Sequence, residues 1–292
     1  MRTELRSIRL PEVTLHTALA GPEDGPLVVL LHGFPEFHHG WRHQIEALAA
    51  AGPRVAVPDQ RGYNLSSKPP GVAAYALDRL ADDVLALAEA LGRKRFAVAG
   101  HDWGGVVAWH LAAREPERIE RAAILNAPQP AAMQRYMRSH PSQMLRSWYV
   151  AWFQVPALPE RLMAGNDFAG LAEAMTRSSR PGAFTAEDLA RYRAAWRQPG
   201  ALTAMVNWYR AALRAPPRYL PERVRVPVRV IWGDRDRFLE RGLVEESLAM
   251  CDQGEAFHLP EATHWLQHEE PERVSRLLIE FFCRASSVSP TV

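Results

Sequence analysis

Asp102 stands at the centre of Gly100-His101-Asp102-Trp103-Gly104-Gly105, between a short apolar run, Phe96-Ala97-Val98-Ala99, and a stretch from Val106 that can open a helix. The spacing is that of a nucleophile elbow, G-x-Nu-x-G, in which flanking glycines let strand and helix approach closely enough to hold a strained turn. A carboxylate there, with a reference pKa of about 3.9, is ionised at neutral pH and attacks without first losing a proton. Attack on an acyl carbon would give a reactive anhydride. Displacing a leaving group from an sp3 carbon suits it better, and leaves an alkyl ester that water must then cleave. Taken without the rest of the chain, the same aspartate serves equally well as a helix cap.

Cleaving the ester requires a general base and an oxyanion hole. Of 11 histidines, His264 is the candidate base. It follows the last strand of the pattern, and a reference pKa near 6.5 lets an imidazole take a proton from water. Asp236, in Gly233-Asp234-Arg235-Asp236, is the candidate to orient it, preferred over Asp234 because it lies further into the loop. The backbone N–H groups of Phe34 and Trp103 are the candidate oxyanion hole.

The elements that must position these groups alternate. Residues 7 to 20 suit one or two strands, and Leu27-Val28-Val29-Leu30-Leu31 reads as a strand buried on both faces of a parallel sheet. A helix is expected from Trp41 to Ala51, a strand from Arg54 to Pro58 and a helix from Leu77 to Leu91 ended by Gly92. After the elbow come a strand over Ala122 to Leu125, a strand over Val226 to Trp232, a helix over Leu243 to Met250, a strand over Glu255 to Leu259 and a last amphipathic helix carrying Val274, Leu277, Leu278, Phe281 and Phe282. The alternation stops between residues 130 and 217, a stretch rich in Trp, Tyr, Met, Arg and Pro with helical patches at 147–153, 186–196 and 203–213. The pattern predicts an α/β-hydrolase fold, a mostly parallel sheet flanked by helices. Residues 1–129 and 218–285 form its core, 130–217 a helical lid, and 286–292 a frayed tail. The chain order of nucleophile, acid and histidine is the one that fold requires, with all of them in loops at the carboxyl ends of strands, where open parallel sheets bind ligands.

Composition narrows the field. Of 292 residues, 35 are basic and 33 acidic, and a net charge of +2 makes no electrostatic case for nucleic acid. The two cysteines match no metal spacing and read as free thiols. An amino terminus without a long apolar region, and no span-length apolar segment, point to a cytoplasmic protein with no membrane partner.

HGFPE at 32–36, DQRGY at 59–63, GHDWGG at 100–105, GDRD at 233–236 and ATHWLQHEEPERV at 262–274 together resemble the epoxide hydrolases of the α/β-hydrolase superfamily. The resemblance covers nearly the whole chain. It implies two lid tyrosines that point at the epoxide oxygen, carried over onto Tyr149, in SWYVAWFQ at 147–154, and Tyr209, in NWYR at 207–210. It implies an epoxide and water as substrates and no metal or organic cofactor. Phe34, Trp103, Trp148 and Trp152, taken as pocket aromatics, suggest that the epoxide is apolar; Glu36 is a candidate to position water; and apolar lid surface allows a monomer or a homodimer. The chief rivals are dehalogenases with the same aspartate nucleophile. Haloacid enzymes typically carry arginines just after the nucleophile, a His-Trp pair in the lid and an acid on the strand after the elbow, where this chain has Trp103 and Gly105, Tyr149-Val150 and Asn126. Haloalkane enzymes share the tryptophan, but often place Asn where Phe34 stands. A binding protein that has lost catalysis is a further reading, since fold does not dictate function; here every member of the triad is present.

Overall fold

The computed structural model describes residues 3–218 and 223–283; the tail expected at 286–292 lies outside the described residues. In chain order the first half runs β1 (Glu4–Arg9), β2 (Thr14–Ala20), β3 (Leu27–Leu31), α1 (Arg42–Ala50), β4 (Arg54–Pro58), α2 (Leu77–Ala90), β5 (Phe96–His101), α3 (Trp103–Arg114) and β6 (Ile119–Leu125). Six consecutive helices follow: α4 (Pro130–Ser139), α5 (Pro141–Arg146), α6 (Trp148–Trp152), α7 (Leu158–Ser178), α8 (Ala186–Trp196) and α9 (Ala201–Arg214). The chain then returns through β7 (Val228–Gly233), α10 (Leu243–Leu248), β8 (Gly254–Leu259), α11 (Leu266–Glu269) and α12 (Pro271–Phe282). The strand expected from Val226 starts two residues later, because Pro227 has no N–H to give to a ladder.

The strands form one eight-stranded sheet in the order β1-β2-β4-β3-β5-β6-β7-β8. β2 is antiparallel to β1 and β4, and the rest run parallel. Burial of every residue of β3 and β5 explains their unbroken apolar runs. On one face α1 and α12 pack Trp41, Ile45, Leu48, Leu277, Leu278 and Phe281 against the sheet; on the other, α2 and α3 join a core that continues into the six-helix segment.

Crossovers return each strand to the same direction, so β3, β5, β7 and β8 all end on one side of the sheet. At the end of β5 the chain must turn sharply into α3, and Asp102 takes φ 51°, ψ −120°. The glycines around it are steric necessities. A Cβ on Gly100 would meet the Gly104 carbonyl oxygen at 2.1 Å, one on Gly104 the Leu31 oxygen at 2.2 Å, and one on Gly33 the Asp102 Cβ at 2.4 Å. The first two hold the turn, and the third lets the β3 loop lie directly against the Asp102 side chain.

Candidate active site

Asp102 is held rather than free. Its Oδ1 accepts a 2.9 Å hydrogen bond from the Phe34 N–H, while its own N–H donates to the Leu125 carbonyl. Trp103 begins α3, where the first N–H groups of a helix lack partners within it. Of the two N–H groups expected to form an oxyanion hole, that of Phe34 points at the carboxylate. The loop carrying Phe34 is braced by the DQRGY segment: Gln60 donates through Nε2 to the His32 carbonyl and through its backbone to His32 Nε2, and Arg61 makes a buried bidentate pair with Asp83.

His264 lies between two carboxylates. Its Nδ1 donates to Asp236 Oδ2 at 2.7 Å and its Nε2 is 3.5 Å from Asp102 Oδ2. Asp236 is fully buried, and its remaining lone pairs are taken by the Asn126 side chain at 2.6 Å and the N–H groups of Phe238 and Leu239 at 2.7 and 3.0 Å. Burial alone would raise its pKa; the His264 charge and these hydrogen bonds outweigh that and lower it. Asp234 faces away, bonded to His258.

Burial likewise opposes charge on His264, but the Asp236 carboxylate and the hydrogen bonds that the ring gives to Asp102 and Asp236 prevail, pushing its pKa up to about 10. This corrects the simple expectation of an imidazole poised near 6.5. A carboxylate on either side of the ring favours its charged, imidazolium form. Two of the influences that raise it come from Asp102, so neutralising Asp102 brings the imidazole back toward the range of a base. A raised folded pKa also ties stability to pH. The contribution is complete below about 6.5, the unfolded value, and is lost as pH climbs through about 10. Between pH 7 and 10 the wild type is expected to lose more of its urea midpoint than His264→Gln does. Equal losses in the two proteins would show that His264 is neutral in the folded state.

A cavity of about 670 Å³ opens over this triad. Asp102 and His264 are at its polar end, and Phe34, Tyr149, Trp152, Phe153, Leu171 and Met175 are among its walls. Tyr149 and Tyr209 both line it, ring centroids 5.9 Å apart. They come from different helices, tied together within the six-helix segment: Gln154 donates to the Val150 and Tyr209 carbonyls, and Arg210 to the Phe153 and Val155 carbonyls and the Glu160 carboxylate. Burial first, then the negative charge of Asp102, raises the pKa of each tyrosine, keeping both protonated.

Two expectations need correction, while Trp148 does line the cavity, at its rim and 64% exposed. Trp103 is not a wall of the cavity; its indole packs edge-on against Trp208 and Tyr209, so it supports a tyrosine from behind. Glu36 is fully buried and set back from the cavity, its oxygens engaged by Tyr192, His268, His101 and Gln267, and it reaches the site only through His101, whose Nε2 donates to the His264 carbonyl. Sequence reasoning passed over Asn126 and Arg146, which bond the Asp236 carboxylate and carbonyl. Asn126 follows β6 at φ 39°, and an Asn at a strand's carboxyl end was the available signal.

The profile of the alpha/beta hydrolase fold family matches residues 26–271. The chain belongs to that family. AB hydrolase superfamily protein YfhM of Bacillus subtilis is 49% identical over 269 residues, covering 92% of this chain and 94% of its own length. Epoxide hydrolase 2 of Caenorhabditis elegans is 35% identical, covering 97% of this chain and 81% of its own. The crystal structure of Bacillus megaterium epoxide hydrolase in complex with an inhibitor superposes with a TM-score of 0.87 at 30% identity, over 96% of this chain and 100% of that one. Within the α/β-hydrolases, these similarities put the chain among the epoxide hydrolases.

Proposed function

We propose that this protein converts an apolar epoxide to a vicinal diol through an alkyl ester on Asp102. The observation that carries the reading is one cavity walled at its inner end by a carboxylate, a histidine within reach of it and two neutral tyrosines. Tyr149 and Tyr209 hold the epoxide oxygen while Asp102 opens the ring from the other side. An epoxide oxygen leaves as an alkoxide, whose conjugate acid is about as weak as water, near 15.7, so it needs a proton from a donor such as tyrosine, near 10. Esterification cancels the Asp102 charge, and with it one cause of the tyrosines' raised pKa, so they become better acids as the alkoxide forms. The same event lowers the pKa of His264, so the imidazolium gives its proton up to solvent and the tyrosinate regains one from solvent. Oriented by Asp236, the neutral imidazole then takes a proton from the water that attacks the ester carbonyl, with the oxyanion on the N–H groups of Phe34 and Trp103. Residues 1–129 and 218–285 serve as catalytic core and 130–217 as lid, in a cytoplasmic enzyme that needs no metal or organic cofactor.

The test removes the base but leaves the nucleophile. His264→Gln is exposed separately to styrene oxide, a bromoalkane and chloroacetate, and its intact mass recorded. The epoxide is expected to leave an adduct that disappears when Asp102→Asn is added. An adduct from a halogenated compound alone would make the protein a dehalogenase, and adducts from none, with no diol formed by the wild type, would favour a binding protein.

A further inference from the structure

The lid segment presents an apolar surface that the rest of the molecule leaves uncovered. Met144, Leu145, Trp148, Val155, Leu158 and Leu162, from α5, α6 and the start of α7, are each at least 40% exposed. Leu145, Trp148 and Leu162 also line the cavity, so the exposed surface is continuous with the cavity's mouth. Apolar patches of this kind on soluble domains mark contact surfaces.

Charge on the same segment is mostly basic, with the acidic Glu240, Glu245 and Glu246 close to Tyr136 on α4 as its nearest counterweight. Residues 130 to 165 contain Arg135, Arg138, Arg146 and Arg161, all exposed, and a single acidic residue, Glu160. Glu160 is turned inward onto Arg210 at 2.6 Å. Arg237, exposed at the cavity mouth, adds to the excess, and of the lid arginines Arg146 is partly offset by Glu240 at 3.5 Å. Exposed Leu and Trp set among arginines are the composition of a face that lies in the interface of an anionic bilayer.

We propose that this face docks peripherally on an anionic lipid surface and takes apolar epoxides from the membrane directly into the cavity. The uptake part rests on the epoxide reading above; the docking does not. A second copy of this chain fits the face less well, because it would cover the mouth of both cavities and bring two like-charged surfaces together. Hydropathy predicts no membrane partner, and no helix among the described residues is long and apolar enough to cross a membrane. Docking on the surface requires no such helix.

The wild-type protein is sedimented with vesicles of phosphatidylglycerol and phosphatidylcholine, and with phosphatidylcholine alone. Binding to the anionic vesicles is expected to be at least about tenfold tighter and to be lost at about 0.5 M salt, where exposed charges are screened. Met144→Ser with Leu158→Ser, neither at the cavity, is expected to weaken vesicle binding about tenfold or more and to leave hydrolysis of styrene oxide in buffer unchanged. A wild type that stays in the supernatant with both vesicles, or binds both equally, overturns the proposal. So does sedimentation equilibrium showing a dimer that the double substitution dissolves, since that assigns the face to a second copy. Sedimentation involves no turnover, so a protein that binds vesicles yet hydrolyses no epoxide would count against the proposed reaction alone.

Discussion

Asp102→Asn is expected to lower kcat/KM for epoxide hydrolysis by at least about 10⁴-fold, because the amide supplies no nucleophile and nothing else at the inner end of the cavity can replace it. The fold should survive. Asn keeps the shape of the side chain and can still accept from the Phe34 N–H, and the backbone at φ 51°, ψ −120° is held by the surrounding glycine contacts, which the substitution leaves in place. The substitution also has a second readout independent of turnover. It removes the charge and hydrogen bond by which Asp102 raises His264, so the imidazole should titrate below the value of about 10 that it has in the wild type. Histidine NMR across roughly pH 5 to 11, a range that brackets both states, measures this directly. If Asp102→Asn kept more than about a tenth of wild-type activity, the covalent mechanism would be wrong. If activity vanished but His264 titrated as before, the carboxylate would be essential without acting on the histidine.

The other large effect belongs to the tyrosines. Tyr149→Phe together with Tyr209→Phe is expected to slow ester formation from an epoxide by about 10² to 10⁴-fold, the usual worth of a positioned proton donor. Either single substitution should cost less, since the remaining hydroxyl still faces the cavity. Ester hydrolysis is the control. By then the alkoxide is already protonated, so release of the diol from a preformed adduct should proceed at the wild-type rate in the double variant. Rapid-quench measurement in a single turnover separates the two steps. Loss of both to the same degree would mean that the rings merely pack, as their edge-on contacts with Phe34, Phe153 and Phe238 would allow. A double variant within about threefold of wild type would remove the tyrosines from the mechanism.

Much of the core could be read from local pattern. Buried strands in a parallel sheet must be apolar on both faces, which makes Leu27–Leu31 and the run Phe96 to Ala99 plain, the latter extended by the structure to His101, and the glycines about Asp102 announce a turn that no side chain at those positions would permit. The six-helix segment was harder. α4, α5 and α7 each carry proline in the first turn, and α7 breaks at Gly165–Phe168, where Asn166, Asp167 and Phe168 take positive φ, so no long period marks them.

What the sequence determined by itself was the set of reactive groups and their order along the chain, because residue type and flanking glycines are local properties. Tertiary structure alone decided the rest. Whether Asp236 or Asp234 reaches His264 depends on which way one loop folds over β8. That Glu36 is withdrawn and Trp103 stands behind Tyr209 depends on packing between segments far apart in the chain. The charge state of His264 depends on two carboxylates brought to either side of it from positions 102 and 236, and an electrostatic field summed over space has no signature in the spacing of letters.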